Sequence, residues 1–261
     1  MIFCPLYSGS SGNSIFVSSE KTKILVDAGL PGKSIENAMN QIGQTAADID
    51  AIFVTHEHTD HTKGIGVLSR KYDIPVYANE DTWNAIKGTL GKIKEHNIKI
   101  FDKSAVNIKD LEVESFNISH DAVCPSGYSI TSGKKKACIA TDLGYFSQEV
   151  KNYIQDADVV LLESNHDVEM LKFGPYPYPL KRRILSNIGH LSNEDCGNAI
   201  LSIVNSKFKN VILGHLSKTN NYPDLAYQTV INILLENNIT LGKDVAIGMA
   251  KRDMPSNYIE I

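Results

Sequence analysis

The 261-residue chain lacks the features that mark membrane and secreted proteins. No apolar run approaches the roughly 20 residues that a membrane span requires. The chain passes from Met1–Pro5 directly into a Gly/Ser stretch, which argues against a secretory signal peptide. The 4 cysteines, at positions 4, 124, 138 and 196, form no CxxC pair and indicate reduced, buried thiols. We therefore expect a cytoplasmic protein that does not associate with a membrane.

An excess of positive charge is also lacking, since the formal net charge is −4. This balance is not the electrostatic signature of a nucleic-acid-binding protein. It does not exclude one, because bound cations would neutralise acids such as Asp60 and Asp142, and a binding face can be basic locally.

No linker, low-complexity tract or repeat divides the chain, so the sequence predicts a single domain over residues 1–261. The composition, 42% hydrophobic and 21% charged, is typical of a globular protein. A helix is predicted from Ser34, as its cap, to Gly43, and Ser132–Lys134 is predicted to close a hairpin. Two strand-rich halves with flanking helices predict an α/β (α+β) fold with two sheets packed face to face and helices outside.

The most informative stretch is Thr55–His61, which follows an apolar strand pattern and holds three histidines and an aspartate. Side chains two positions apart, such as His56 and His58, can face one cation, while Asp60 and His61 can reach a second. Imidazole and carboxylate ligands suit zinc, manganese or iron. A zincin-type helix is excluded because its HExxH spacing is missing. The alternative is a solvated polar loop with incidental histidines.

The string HxHxDH, with Asp27 earlier at the end of an apolar run, resembles the metallo-β-lactamase superfamily. Three later segments follow apolar runs in the order that this superfamily uses: Ser119–His120, Ala140–Asp142 and Leu213–His215. Three further segments look like the YycJ/WalJ branch, a group linked to DNA exonuclease activity: Ser8–Ser14, Glu163–His166 and Ile188–Ser192.

The resemblance implies a four-layer αββα sandwich, the metallo-β-lactamase fold, holding two divalent metal ions (zinc, manganese or iron). Asp27 is expected to support the neighbouring loop without touching a metal. For His120 or His215 taken alone, a hydrogen-bonded core histidine is the alternative. The implied ligands are His56, His58 and His120 for one ion, Asp60, His61 and His215 for the other, and Asp142 as the bridge.

The resemblance also implies the catalytic residues Asp60, Glu163 and His190. A metal-bridging hydroxide would attack phosphorus, and Glu163 or His190 would protonate the leaving oxygen, because their segments resemble those of tRNase Z phosphodiesterases. Whether His166 shares this role stays open. The alternative for His190 is a helix cap.

Six polar residues are predicted to contact substrate. The Gly/Ser loop offers backbone amides that can approach a phosphate closely, although such stretches are often simple turns. The run Lys181–Arg183 follows a Tyr/Pro loop, which suits ion pairing and base stacking with a nucleic-acid strand, unless it is a solvated basic face. The residues predicted to contact substrate are Ser10, Ser11, Asn13, Arg182, Arg183 and Lys218.

The ligand pattern predicts a metal-dependent hydrolase, and the resemblance implies a phosphodiesterase acting on DNA, specifically a 5'→3' double-strand exonuclease with a role in DNA repair. The DNA part rests mainly on the resemblance. Two alternatives stay open: a hydrolase of the same fold acting on a thioester, a lactone or another small phosphodiester, and a metal-binding regulatory module.

Overall fold

The computed structural model describes residues 1–102, 105–204 and 207–261. These residues form two seven-stranded sheets. Numbered along the chain, the first sheet contains β1 (Ile2–Tyr7), β2 (Ser14–Ser18), β3 (Lys23–Val26), β4 (Ala51–Phe53), β5 (Val76–Ala78), β6 (Ile98–Ile100) and β14 (Ile259–Glu260). The second contains β7 (Val106–Ile108), β8 (Leu111–Asn117), β9 (Ser126–Ser132), β10 (Lys135–Ala140), β11 (Val159–Glu163), β12 (Lys209–Gly214) and β13 (Val245–Met249).

Helices cover the outer faces of both sheets. Short 3-10 turns lie at Ala46–Asp48 and Glu95–Asn97. The α-helices in the described ranges are α1 (Gly32–Gln41), α2 (Thr59–Thr62), α3 (Ile65–Tyr72), α4 (Glu80–Ile86), α5 (Gln148–Ile154), α6 (Val168–Phe173), α7 (Tyr178–Ile184), α8 (Asn193–Ile203) and α9 (Pro223–Glu236). None of these helices combines the length and the hydropathy that a membrane crossing requires.

Alternating side chains along the strands separate three hydrophobic clusters. In β3, Ile24 and Val26 lie in the cluster shared by the two sheets, whereas Leu25 lies in the cluster beneath α1, α3 and α4. In β11, Val159 and Leu161 face the first sheet, whereas Val160 and Leu162 pack beneath α5, α8 and α9. A strand buried on both faces is expected where helices cover a sheet. The predicted sandwich of two sheets between helical layers is confirmed.

The parallel parts of each sheet bring polar residues to one edge. Strands β3 and β4 are parallel, as are β10, β11 and β12. Loops that leave the carboxyl ends of parallel strands meet at the same edge of a sheet. Asp27, Asp142 and His215 follow β3, β10 and β12 there, and Glu163 ends β11.

Several local predictions need correction. Helix α1 begins at Gly32 with Pro31 as its N-cap, rather than at Ser34, because the Pro31 carbonyl already accepts a helical hydrogen bond from the Ile35 amide. The Tyr/Pro stretch is not only a loop, since Tyr178 and Pro179 form the first turn of α7 and Lys181–Arg183 lie in its last turn. The predicted hairpin is confirmed, because Ser132 pairs with Lys135 across the turn.

Candidate metal centre

Nine His, Asp and Glu side chains of the described residues form four overlapping groups at this edge of the molecule. We call His56, His58 and His120 the three-histidine cluster, and Asp60, His61 and His215 the aspartate cluster. In each cluster the possible ligand atoms lie within 4.8 Å of one another. Asp142 lies between the clusters, with carboxylate oxygens 3.3 Å from His61 Nε2 and 3.6 Å from His120 Nε2. The structure thus brings together all seven of the predicted metal ligands.

Neutral groups orient the three-histidine cluster. His120 Nδ1 donates to the Gly189 carbonyl at 3.1 Å, so its Nε2 atom is left to face Asp142. The Thr55 hydroxyl lies 2.9 Å from His56 Nδ1. His56 Nε2 and His58 Nδ1 lie 3.0 Å apart, as ring nitrogens directed at one ion would. A fixed outer hydrogen bond sets the tautomer of a ligating histidine.

A buried carboxylate orients His61 in the aspartate cluster. His61 Nδ1 donates to Asp27 Oδ2 at 2.7 Å. Asp27 also accepts from the backbone amide and the hydroxyl of Thr55, each at 2.8 Å. Asp27 therefore connects the end of β3 to the histidine-rich turn and holds His61 from behind.

Glu163 orients two histidines at once. Its Oε1 atom accepts from His190 Nδ1 at 2.8 Å and from His215 Nδ1 at 2.7 Å, while Oε2 accepts from the amides of Leu143 and Leu191 at 2.6 and 3.3 Å. The Glu163 side chain is 0% exposed, whereas that of His190 is 18% exposed. Glu163 thus lies behind His190 and His215, and His190 has only Nε2 free to meet a substrate.

The donor set fits divalent cations. Asp142 Oδ2 and His215 Nε2 are buried polar atoms without a hydrogen-bond partner in the described residues. Such orphaned atoms are costly in a protein interior unless an ion or a water satisfies them. Imidazole nitrogens and carboxylate oxygens are ligands for zinc, manganese and iron.

The histidines of the two clusters differ in pKa. Burial, followed by the neighbouring His61, holds the pKa of His56 well below its ordinary value. Burial also lowers the pKa of His215, but Asp142 and Glu163 outweigh it and raise that pKa to about 9. Burial likewise opposes the charge on His61, yet Asp27 and Asp142 hold the pKa of His61 well above its ordinary range.

Three site residues adopt the left-handed backbone conformation. Asp27, Asp142 and His215 have φ values of 61°, 61° and 54°. This conformation is uncommon for residues other than glycine, and aspartate, asparagine and histidine adopt it more readily than the rest. The sharp change of direction follows the end of a strand in each case, and it turns the side chain toward the metal centre.

The predicted substrate contacts fall into three groups. Ser10, Ser11, Arg182 and Lys218 are exposed. Asn13 is buried, where its amide oxygen accepts from Gly9 and its nitrogen lies 3.0 Å from His61 Nε2. Arg183 forms an ion pair with Asp121. Asn13 and Arg183 therefore already have partners within the protein.

Two contributors to the centre were missed from the sequence. The Thr55 hydroxyl links Asp27 to the histidine-rich turn, and its position directly before His56 was the available signal. The Gly189 carbonyl had no signal, since a backbone acceptor leaves no trace in residue type. His166 is buried outside the clusters, and neither of its ring nitrogens has a partner in the described residues.

Residues 22–215 match the family model described as the β-lactamase superfamily domain, and the chain belongs to this family. Fold and site together define a metal-dependent hydrolase, as the resemblance predicted. The chain is 44% identical over 255 residues to exodeoxyribonuclease YycJ of Bacillus anthracis, covering 97% of each protein. It is 43% identical over 259 residues to exodeoxyribonuclease WalJ of Streptococcus pneumoniae serotype 2 strain D39, covering 98% of this chain and 96% of the relative.

A solved structure supports the fold assignment. The metallo-β-lactamase fold protein YhfI from Bacillus subtilis superposes with a TM-score of 0.72 at 14% identity, covering 98% of this chain and 100% of that one. The predicted metallo-β-lactamase fold is confirmed.

Proposed function

We propose that this protein is a DNA phosphodiesterase that uses two divalent metal ions and degrades double-stranded DNA in the 5'→3' direction during DNA repair. The names of the relatives, both exodeoxyribonucleases, support the choice of DNA. The observation that carries the chemistry is the Glu163–His190 pair beside Asp142, because a phosphodiester needs a proton for its leaving oxygen.

The seven clustered side chains would hold the two ions, with Asp142 between them. When bound, such a pair of ions supplies an activated water and neutralises charge on the phosphate. Asp60 is partly open to solvent, with 28% of its side chain exposed. It therefore lies where a substrate phosphate would approach.

His190 is the group that we assign to leaving-group protonation. Its Nδ1 proton is held by Glu163, so the transferable proton is on Nε2. Burial lowers the pKa of His190, but Glu163 and then Asp142 raise it above the ordinary value, which keeps the ring protonated nearer neutral pH. Glu163 is fully buried and acts as the residue that positions His190.

Exposed aromatic and basic residues of α6 and α7 suit a DNA strand. Phe173 at the end of α6 is 83% exposed, and Tyr178 in α7 is 72% exposed. The Arg182 guanidinium lies 5.9 Å from the Tyr178 ring centre. Aromatic rings and arginine planes bind single strands by stacking and ion pairing.

The proposed location of the protein is the cytoplasm. The buried thiols of Cys4, Cys138 and Cys196 support it, because free thiols persist in a reducing compartment.

The test is a substrate panel with manganese- or zinc-loaded protein. End-labelled duplex DNA, single-stranded DNA, RNA, bis(p-nitrophenyl) phosphate and a thioester are incubated with wild type and with Asp60→Ala and His61→Ala. We expect mononucleotide release from duplex DNA, blocked by phosphorothioates at the 5' ends but not at the 3' ends, and no turnover by either variant. Faster cleavage of a nicked duplex would support the repair role.

Other outcomes would reject parts of the proposal. Cleavage of the thioester alone would favour a small-molecule hydrolase of the same fold. Metal binding without turnover of any substrate would favour a regulatory module. Full activity of Asp60→Ala or His61→Ala would contradict the assigned metal centre.

A further inference from the structure

A cavity lies beside the metal centre, and we call it the Tyr222 pocket. It has a volume of about 570 Å³. Volumes of this size suit small organic ligands. Its walls come from the loop after β12, the start of α9, and the loop after β13, and include Leu216, Lys218, Tyr222, Met249, Lys251 and Arg252.

The pocket shares a wall with the aspartate cluster. Ser8 lines the pocket, and its hydroxyl accepts from the His215 amide at 2.9 Å. Leu216 directly follows His215, and its carbonyl accepts from Arg252 Nη2 at 2.8 Å. Two residues of the pocket wall, Ser8 and Leu216, therefore contact the His215 backbone or follow it directly.

The pocket offers positive charge that the protein does not neutralise. Lys218 and Lys251 are exposed, and neither forms an ion pair with a carboxylate in the described ranges. Arg252 Nε is buried and has no hydrogen-bond partner among the described residues. The pocket lining thus contains three cationic side chains and one carboxylate, that of Asp253. This balance favours an anionic ligand.

The pocket also offers apolar surface. The Tyr222 ring is 51% exposed at the start of α9, and Met254 is 51% exposed in the opposite loop. A flat aromatic face beside a thioether is suited to stacking against a planar ring, and stacking of this kind tolerates any base. A small ligand with both a planar ring and a phosphate matches this combination better than inorganic phosphate or an acidic peptide does.

We propose that the Tyr222 pocket holds the nucleotide next to the scissile phosphate, with its base against Tyr222 and its phosphate against Lys218 and Lys251. This inference rests on the proposed DNA phosphodiesterase activity and names the subsite that binds the substrate. It places one nucleotide on the His215 side of the metal centre, beside the loop after β12, which contacts the start of α6 through the hydrogen bond from the Asp167 amide to the Asn220 carbonyl.

A binding measurement tests the pocket without turnover. Thymidine 5'-monophosphate is titrated by calorimetry into the metal-loaded full chain. Replacing Tyr222 by alanine removes the stacking surface and should weaken binding about tenfold, and Lys218→Ala should have a similar effect. Tyr222→Phe keeps the ring and should restore affinity. The matched controls, Tyr258→Ala and Lys134→Ala, alter an exposed ring and an exposed lysine outside the pocket and should bind as wild type does.

Kinetics separates failure of this inference from failure of the proposed function. The ratio of kcat/KM for a DNA oligonucleotide to kcat/KM for bis(p-nitrophenyl) phosphate should fall about tenfold in Tyr222→Ala, mainly through KM. Absence of phosphodiester hydrolysis by wild type would overturn the proposed function. Wild-type binding of the nucleotide by Tyr222→Ala and Lys218→Ala, no binding by wild type, or an unchanged kinetic ratio would overturn the pocket assignment.

Discussion

The two halves of the metal centre differ in the groups that support their histidines. In the three-histidine cluster, His56 and His120 are backed by a hydroxyl and a carbonyl. In the aspartate cluster, His61 and His215 are backed by the buried carboxylates of Asp27 and Glu163. A carboxylate partner raises the basicity of a ligating imidazole, and a neutral partner does so less.

This difference predicts an order of metal loading. A ligating histidine must be neutral, so metal binding displaces any proton on the ring. His56 has a low pKa because it is buried and is therefore neutral at pH 7. His215 has a pKa of about 9 in the metal-free protein and must lose a proton. We expect the three-histidine cluster to bind the first ion at neutral pH.

The largest effect is expected where the two clusters meet. Asp142→Asn removes the carboxylate charge that faces both, so the rate of phosphodiester hydrolysis should fall about a thousandfold. Metal content, measured by mass spectrometry after gel filtration, should fall below two ions per chain. Asp81→Asn, an exposed aspartate on α4, is the matched control and should keep full activity. Two retained ions in Asp142→Asn would reject its place between them.

Removing one histidine from each cluster tests the asymmetry directly. His215→Ala should retain one ion per chain at pH 7. His56→Ala should retain less than one ion per chain, because His61 and His215 of the intact aspartate cluster are protonated at this pH. Both variants should lose roughly 100- to 1,000-fold in rate. Equal metal contents in the two variants would contradict the proposed order of loading.

The pH dependence of loading sharpens the same comparison. His61 and His215 both have a raised pKa, so each can lose a proton to the second ion. Affinity for that ion should therefore rise about tenfold to a hundredfold per pH unit toward pH 9, as measured by competition with a metal indicator. Affinity for the first ion should change much less.

The stability of the metal-free protein should fall as pH rises, whereas metal affinity should increase. A histidine with a raised pKa stabilises the fold below its unfolded value, 6.5, and this contribution is lost as pH rises toward 9. The Tm of chelator-treated wild type should therefore fall between pH 6.5 and 9 relative to His215→Asn. A parallel pH dependence in the two proteins would show that His215 is not the group responsible.

The smallest effect is expected for the supporting carboxylate. Glu163→Gln should lower activity about 10- to 100-fold, because outer hydrogen bonds orient His190 and His215. Its readout is the pH profile: loss of the negative charge lowers the pKa of His190, so the alkaline limb should move to lower pH. A reduced rate with an unshifted profile would indicate a purely structural role for Glu163.

The sequence identified the residues that meet at the candidate metal centre better than it identified the groups that support them. The histidine-rich turn, His120, Asp142 and His215 were recognisable because metal ligands must be particular residue types at strand ends. The role of Asn13 was not, because its contact with His61 depends on how the Gly/Ser loop folds over the turn. The role of Glu163 could not be predicted from the sequence either. Its complete burial behind His190 favours positioning of that histidine over direct proton transfer to a substrate, and burial depends on the fold.

The surfaces beyond the metal centre were less predictable. The proline-rich stretch before Lys181 indicated a loop, yet prolines at a first turn are compatible with the helix that forms there. The Tyr222 pocket combines Ser8, Lys218 and Arg252, which are far apart in sequence and carry no shared motif. Only the strand order brings them together.

The left-handed backbone at positions 27, 142 and 215 has a consequence for protein engineering. Glycine would relax the local torsional penalty at each position, but at position 27 it would also leave the Thr55 amide, the Thr55 hydroxyl and His61 without their buried acceptor. The same substitutions would delete a supporting carboxylate or a ligand. Transplanting this metal centre into a designed scaffold would therefore require strand ends with the same unfavourable torsions, which idealised backbones are built to avoid.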